Sequence, residues 1–578
     1  MKLKLLFLIL SILTGSLSFG QFQKTIRVAN KHYHDLNIEP TTDNSNDFIV
    51  AGNLFDAPLQ NEELTLKRVD QNGVVVWIKK YTSTTLVHAR VFDMVMVGTS
   101  IYFTGSVDVS GVRKVFIAEV QASNGNFVTA NYYDIVGPNF NSRGLKIIHT
   151  LSDANNNGIG DPGFVIGGFF SDCYAVDINC TFNNIGFVLR TDMALNHIWT
   201  TEIDANNPIN TLEYDFVNGM TETNDGFFIT GSATGTTPTS SIQQGVLAHK
   251  IDFSGVFVWD SSYLFGNASD VSTDSYFDAA SNEIYVLVNY SISHYFGVTV
   301  LNNTTGASTV SWVATGADPD KYGFRIMESA NSSNNLVITG YDRDENWTSA
   351  GASFSGQSTI FVYEFAKATG AQVGASYQFL VPHVEPTGDE FNFWSGQMPL
   401  IYYPDISMLH VDTAGTANYY HVGYRTNPSA TFTESELYKT PVNFRNECDH
   451  LTLQLTANTA GLIPIQVTSG QVPVSAVPLL LNDAVIAFQI SMCDPTLSID
   501  DENENQGTMY PNPASEYIFF TGNDLERYMV TDAMGKTILT GTFSEDPSIH
   551  IGNLPNGMYF IQAFDKGNAL QTFKLLKR

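Results

Sequence analysis

The chain has 578 residues, with 29 basic and 58 acidic side chains and a formal net charge of −29. That excess of negative charge repels phosphate backbones and anionic membrane surfaces, which excludes nucleic acid as a working partner class. Charged residues amount to 15% and aromatics to 12%, a composition of folded strands rather than of a solvated, disordered chain.

Met1 to Gln21 open with Lys2 and Lys4, continue in an apolar run from Leu5 to Leu13, and leave through Gly15, Ser16, Ser18 and Gly20. This order predicts a secretory signal peptide over 1–21, because the apolar core is too short to cross a bilayer. An uncleaved N-terminal anchor is the competing reading. No later stretch is apolar and long enough for a transmembrane span, so the expected address is secreted or outer cell surface.

From residue 22 to about 440 one phrase recurs, a few apolar residues ending in a small residue and glycine. It stands at Phe48 to Gly52, Ile101 to Gly105, Phe164 to Gly168, Phe227 to Gly231 and Leu336 to Gly340, with weaker copies at Ile284 to Val288 and Tyr419 to Gly423. A step of roughly fifty to sixty residues suits one four-stranded propeller blade with variable loops. A second phrase follows in register: Asp70, Gly73 and Trp77 recur as Asp252, Gly255 and Trp259, with echoes at Asp192 to Trp199 and Asn302 to Trp312. Asp and Gly supply a hairpin turn, and the tryptophan is large enough to pack between neighbouring sheets. The predicted fold is all-β, a seven-bladed β-propeller over 22–440. A row of β-sandwiches would lack the constant register.

Residues 441–497 alternate like strands at Leu451 to Leu455, Ile463 to Val467 and Val485 to Ile490. Periodicity leaves two readings open, a small separate β region or the strands that close the propeller. The four cysteines form two separated pairs, Cys173 with Cys180 and Cys448 with Cys493. In an oxidising compartment they read as two disulfides, and neither spacing suits zinc. A polar, acidic run at 498–507 reads as a linker.

Chemistry-bearing candidates are few. Asp153, Asn155, Asn157 and Asp161 place side-chain oxygens at positions 1, 3, 5 and 9 of a loop with Gly158 at position 6, resembling the first part of an EF-hand Ca2+ loop. Position 12 is Phe164 instead of a bidentate Glu, and the plainer reading is an Asn/Gly hairpin turn. His383, Glu385, Asp389 and Glu390 lie near Trp394, where carboxylates could pair or hold a metal, although such a run more often is a solvated loop. His32 and His34 share one face of a strand, a pair that chance also produces. No metalloprotease helix, phosphate loop, dinucleotide fingerprint or nucleophile elbow is present; Gly351 to Gly356 comes near the last but puts its second glycine one residue late.

The last seventy residues carry an ordered set of phrases. Tyr510, Pro511, Asn512 and Pro513 open it, Asp532 and Gly535 bound a tight turn, and Leu554, Pro555, Asn556, Gly557 and Tyr559 precede a final strand ending at Lys577 and Arg578. This set resembles the type A C-terminal sorting domain carried by cargo of the type IX secretion system of Bacteroidetes. The resemblance implies a small β-sandwich over 508–578, passage through the outer membrane by way of the secretion machinery as partner, and release or surface attachment afterwards. It leaves the body's task open. The expectation for the body is a binding or adhesion module for extracellular glycan or protein, without assigned catalytic residues. The competing expectation is a polysaccharide- or peptide-degrading hydrolase or lyase with carboxylates at the propeller channel.

Overall fold

A computed structural model describes most of residues 22–493 and 509–578; among the segments it leaves undescribed are 1–21, 172–182, 343–357, 382–406, 442–449 and 494–508. The signal-peptide expectation, Cys173, Cys180, Cys448 and the run from His383 to Trp394 therefore lie outside the described residues. No α-helix occurs among the described residues. The chain divides into two compact units, Met1–Thr496 and Leu497–Arg578.

The first unit holds seven antiparallel sheets among its described residues. In six of them four successive stretches of chain lie side by side, as in Lys31–Pro40, Phe48–Asp56, Glu62–Val69 and Val75–Thr82 for the first sheet. The seventh combines Ser407–Thr413, Thr416–Thr426 and Thr433–Pro441 with the N-terminal strand Phe22–Arg27. The first strands of successive sheets lie against one another in turn, and that of the first sheet meets that of the seventh, so the array closes into a ring. This is the predicted propeller. The closing strand is fastened by the hydroxyl of Thr25 donating to Glu436 Oε1 at 2.6 Å and by an ion pair of Arg27 with Glu434.

The repeated apolar-to-glycine phrase is the second strand of every sheet. Its glycine has a steric cause. In six sheets the first strand carries a β-bulge, for example between Val91 and Asp93 and between Gly323 and Arg325. The bulge pushes a backbone carbonyl over the facing residue of the second strand. A Cβ on Gly105 would stand 1.8 Å from the Arg90 carbonyl oxygen, and one on Gly340 would stand 2.0 Å from that of Tyr322.

The Asp–Gly–Trp phrase is the turn into the fourth strand. Asp70 Oδ1 accepts from the backbone N–H groups of Asn72 and Val74, both at 2.8 Å, and Gly73 takes φ +72. The tryptophan then reaches the next sheet: Trp77 Nε1 donates to the Ala122 carbonyl at 3.1 Å, and Trp259 Nε1 to that of Asn303 at 2.9 Å. Each indole fills the space that a turn glycine leaves, Gly125 above Trp77 and Gly306 above Trp259. Trp259 is buried, whereas Trp77 is half-buried.

Residues 450–493 add a fifth strand to each of the seven sheets, taking them in reverse order. His450–Leu453 pairs with the sixth sheet, Thr456–Thr459 with the fifth, Ile463–Pro464 with the fourth and Thr468–Gln471 with the third. Val474–Pro478 pairs with the second, Asn482–Val485 with the first and Gln489–Cys493 with the seventh. The segment thus runs back round the rim. Leu479, Leu481 and Ile486 are buried against the sheets beneath. Pro464 and Pro478 sit in these strands, as an outermost strand permits, and there they discourage further strand addition.

The second unit pairs a three-stranded sheet (Met509–Tyr510, Tyr517–Phe520, Ser548–His550) with a four-stranded one (Thr537–Thr542, Leu525–Asp532, Gly557–Asp565, Leu570–Lys577). Ile518, Phe520, Val530, Ile549, Ile561 and Leu575 pack between them. Alternate residues of each strand face inward, the pattern of a sandwich.

Candidate functional site

At the centre of the ring the first strands bring charged side chains from several sheets together. Each charged position follows the bulge of its strand, which turns it toward the axis. Asp93 of the second sheet accepts a hydrogen bond from the Asn37 amide of the first and from the Ile147 N–H of the third at 2.9 Å. It also pairs with Lys146 at 3.3 Å and, across the ring, with Arg325 of the sixth sheet at 3.6 Å. Asp274 of the fifth sheet accepts in the same way from the Ile326 N–H at 3.1 Å. These carboxylates are ties between blades.

Glu39 differs. It is partly exposed, and its carboxylate makes no hydrogen bond with the described residues. Loss of water around it and the negative charge of Asp93 push its carboxyl up to about 7, while Lys146 and Arg325 pull the other way. The centre is therefore a charge-compensated cluster with one carboxyl poised near neutrality, rather than a pair of free acids. Glu39 thereby has the character of a proton donor or acceptor. Sequence reasoning missed all of these residues, since each lies in an ordinary strand and they converge only when the ring closes.

Antiparallel alternation sends the connections after the first and third strands to one end of the ring, and those after the second and fourth strands to the other. Segments 172–182, 205–212, 343–357 and 382–406 all leave the second end. The run from His383 to Glu390 and the pair Cys173 and Cys180 belong to these segments.

The loop with Asp153, Asn155, Asn157 and Asp161 lies at the first end. Its oxygens bind its own backbone: Asp153 Oδ1 accepts from the N–H groups of Asn155 and Asn157, both at 3.2 Å, and Asp161 Oδ2 from that of Ala154 at 3.1 Å. Asn157 Oδ1 accepts from Ile159 N–H at 2.8 Å. The buried Arg190 guanidinium donates to the carbonyls of Ser152 and Asp161. With two carboxylates already engaged and a fixed cation beneath, the donor set fits a self-closed turn better than a divalent ion site. His32 and His34 are both buried on one face of the first strand, His34 against Phe55, and no group of three metal-ligating side chains occurs among the described residues.

In the tail the motif residues close turns. The Asn512 amide donates to the Lys574 carbonyl at 2.6 Å, and its oxygen accepts from Leu576 N–H at 2.9 Å, fastening the opening to the last strand. Asp532 Oδ1 accepts from Lys536 N–H at 2.9 Å. Tyr559 donates its hydroxyl hydrogen to the Pro555 carbonyl at 2.9 Å, bracing the turn through Asn556 and Gly557. Leu554 packs on the core. Pro511 and Gly535 are outside the described residues, as is the side chain of Tyr510.

Residues 508–578 match the family model described as the secretion system C-terminal sorting domain. The tail is a type IX sorting signal. It marks the protein as secreted or held on the outer cell surface and implies interaction with the type IX machinery; no helix among the described residues is long and apolar enough to cross a membrane. Among curated proteins no relative is found. Solved structures that align include the WD40 domain of SCAP from fission yeast, at 9% identity over 77% of this chain and 94% of that one, TM-score 0.28. Another is the GH32 beta-fructofuranosidase of Bombyx mori, at 8% identity over 95% of this chain and 89% of that one, TM-score 0.24. Superpositions this loose carry no argument, and the fold rests on the strand pairing above.

Proposed function

We propose that the body is an extracellular recognition module for glycan or protein, delivered by the sorting tail. The observation that supports this reading is the asymmetry of the ring. Its two longest connections, 343–357 and 382–406, follow a second and a fourth strand and so start from the same end of the ring, where a propeller presents variable surface on a rigid frame, while Asp93 and Asp274 at the centre are committed to inter-blade ties. A binding array of glycans and peptides on the secreted protein, run beside a hydrolysis screen on the same ligands, tests it. Binding without turnover is the expected outcome, and turnover of a bound ligand overturns it.

Glu39 favours a second reading, a hydrolase or lyase acting at the axis, because a carboxyl near neutrality can give or take a proton. In that case Glu39→Gln would abolish turnover in the screen. Under the first reading the same variant binds its ligand unchanged.

A further inference from the structure

We propose that the seam between the third and fourth sheets binds a small monovalent anion of the halide class, on the guanidinium of Arg190 and the indole N–H of Trp199. The inference is independent of what the body recognises. The seam site lies at the end of the ring opposite the one from which 343–357 and 382–406 start.

Three sheets build the same pair of side chains. Near the start of the fourth strand a tryptophan stands directly opposite a cation of the third: Trp77 opposite Arg68, Trp199 opposite Arg190 and Trp259 opposite Lys250. Residues so paired share a face of the sheet. In the first sheet both donors meet on the Ala122 carbonyl of the second, Arg68 Nη1 at 3.3 Å and Trp77 Nε1 at 3.1 Å. In the fourth both meet on Asn303 of the fifth, Lys250 on the side-chain oxygen and Trp259 on the carbonyl at 2.9 Å. The charge is matched as well. Arg68 pairs with Asp47 at 2.6 Å and Asp43 at 2.8 Å, and Lys250 pairs with Asp225 at 2.5 Å.

The third sheet has the donors without the acceptors. Arg190 is fully buried, and it donates only through Nη2, to the carbonyls of Ser152 and Asp161. Its Nε and Nη1 and the Nε1 of Trp199 are buried with no acceptor among the described residues, and no carboxylate among them pairs with it. Asp161 and Glu222 act on it only through space; Asp161 Oδ2 is taken by Ala154 N–H and the Asn155 amide, and Glu222 Oε1 by the Thr150 hydroxyl. Trp199 packs with Val188, two positions before Arg190, against the fourth sheet, so both donors face that seam.

Turn length is the cause. In the turns Gln121–Asn126 and Asn302–Ala307 the second residue gives its N–H to a neighbouring turn, Ala122 to the Thr99 carbonyl and Asn303 to that of Asn282, and its own carbonyl meets the indole. The corresponding turn of the fourth sheet, Asp252–Val256, is one residue shorter, and its second residue, Phe253, packs its ring on Phe227 instead. Trp312 Nε1 is also buried without an acceptor, but it stands opposite Val298, so no cation adjoins it.

Three donor nitrogens and one unmatched positive charge call for an acceptor that carries negative charge and no proton. Water would bring two hydrogens of its own and leave the charge unmatched. A polyatomic oxyanion would bring more lone pairs than these donors serve. A halide accepts from every direction and neutralises the guanidinium.

Unfolding of the full secreted chain in denaturant tests the site, with sodium chloride set against sodium gluconate at equal ionic strength, since gluconate screens charge but is too large to enter a closed seam. Stability is expected to rise with chloride beyond its value in gluconate and to saturate, with bromide able to replace chloride. Trp199→Phe keeps a ring against Gly255 and loses the N–H, so the half-saturating chloride concentration should rise about tenfold. Arg190→Met should remove the difference between the salts. If that variant does not fold, crystals of the parent grown in bromide decide, with an anomalous peak between Arg190 and Trp199 expected. Equal stability in the two salts, a chloride effect that Trp199→Phe leaves unchanged, or water alone between the two side chains in bromide overturns the site.

Discussion

The repeated residues of the propeller act on the neighbouring sheet, whereas most motif residues of the tail act within a few positions of themselves. Trp77 and Trp259 each donate to a carbonyl of the following sheet, 45 and 44 positions away. In the tail, the Tyr559 hydroxyl reaches a carbonyl four positions back and Asp532 an N–H four positions on. Asn512 is the exception, spanning 62 and 64 positions to the last strand. The difference teaches that tail phrases specify turns that any chain carrying them can form, while body phrases have meaning only once a second blade is in place.

Removing the tail should have the largest effect. Deletion of 508–578 should abolish appearance of the protein outside the cell, read by fractionation, because the sorting signal goes with it; undiminished secretion would break the division of labour. Within the body, Lys67→Met should cost about 3–5 kcal/mol in denaturant unfolding, since it leaves the fully buried Asp35 without its cation. Lys67 also donates to Ser435 of the seventh sheet at 2.8 Å, so the loss falls on the seam that closes the ring.

Trp259→Ala should lower stability by about 3 kcal/mol and Trp77→Ala by less, as the half-buried indole displaces less water. Equal costs would count against packing between blades as the cause. In the tail, Tyr559→Phe should cost about 1 kcal/mol, with the unfolding of the propeller unchanged in the same full-length chain. A shift in both transitions would erase the contrast between local and inter-blade residues.

The smallest effect is one of pH. Glu39 titrates near 7 in the folded ring and near 4.3 in the unfolded chain. The folded state therefore holds the extra proton between these values, and the stability due to Glu39 is present below about 4.3 and lost as pH rises through about 7. Glu39→Gln should leave stability at pH 4 unchanged and raise it at pH 8, by on the order of 1–2 kcal/mol once screening by channel water is allowed for. An equal change at both pH values would place the effect in packing instead.

Much of the fold was legible in the sequence because blade architecture repeats. The apolar-to-glycine phrase marks the second strand each time, and in five blades the bulge facing it makes the glycine a local requirement, whereas the fifth sheet carries Val288 there and the seventh shows no such bulge. The central cluster was not legible. Glu39, Asp93, Lys146 and Arg325 are separated by about fifty to nearly three hundred residues, and nothing in their own segments distinguishes them from surface charges. The loop from Asp153 to Asp161 shows the converse, a motif that drew attention to itself and whose oxygens serve its own backbone.

By itself the sequence determined that this protein is built of strands, that its body repeats and that its tail is a sorting module, because periodicity, turn residues and short motifs act over a few positions. Only the tertiary structure decided what 450–493 becomes. Alternating apolar residues can form a sandwich or an edge strand equally well, and it is the seven exposed outer edges of the closed ring, each needing hydrogen-bond partners, that turn this segment into a belt.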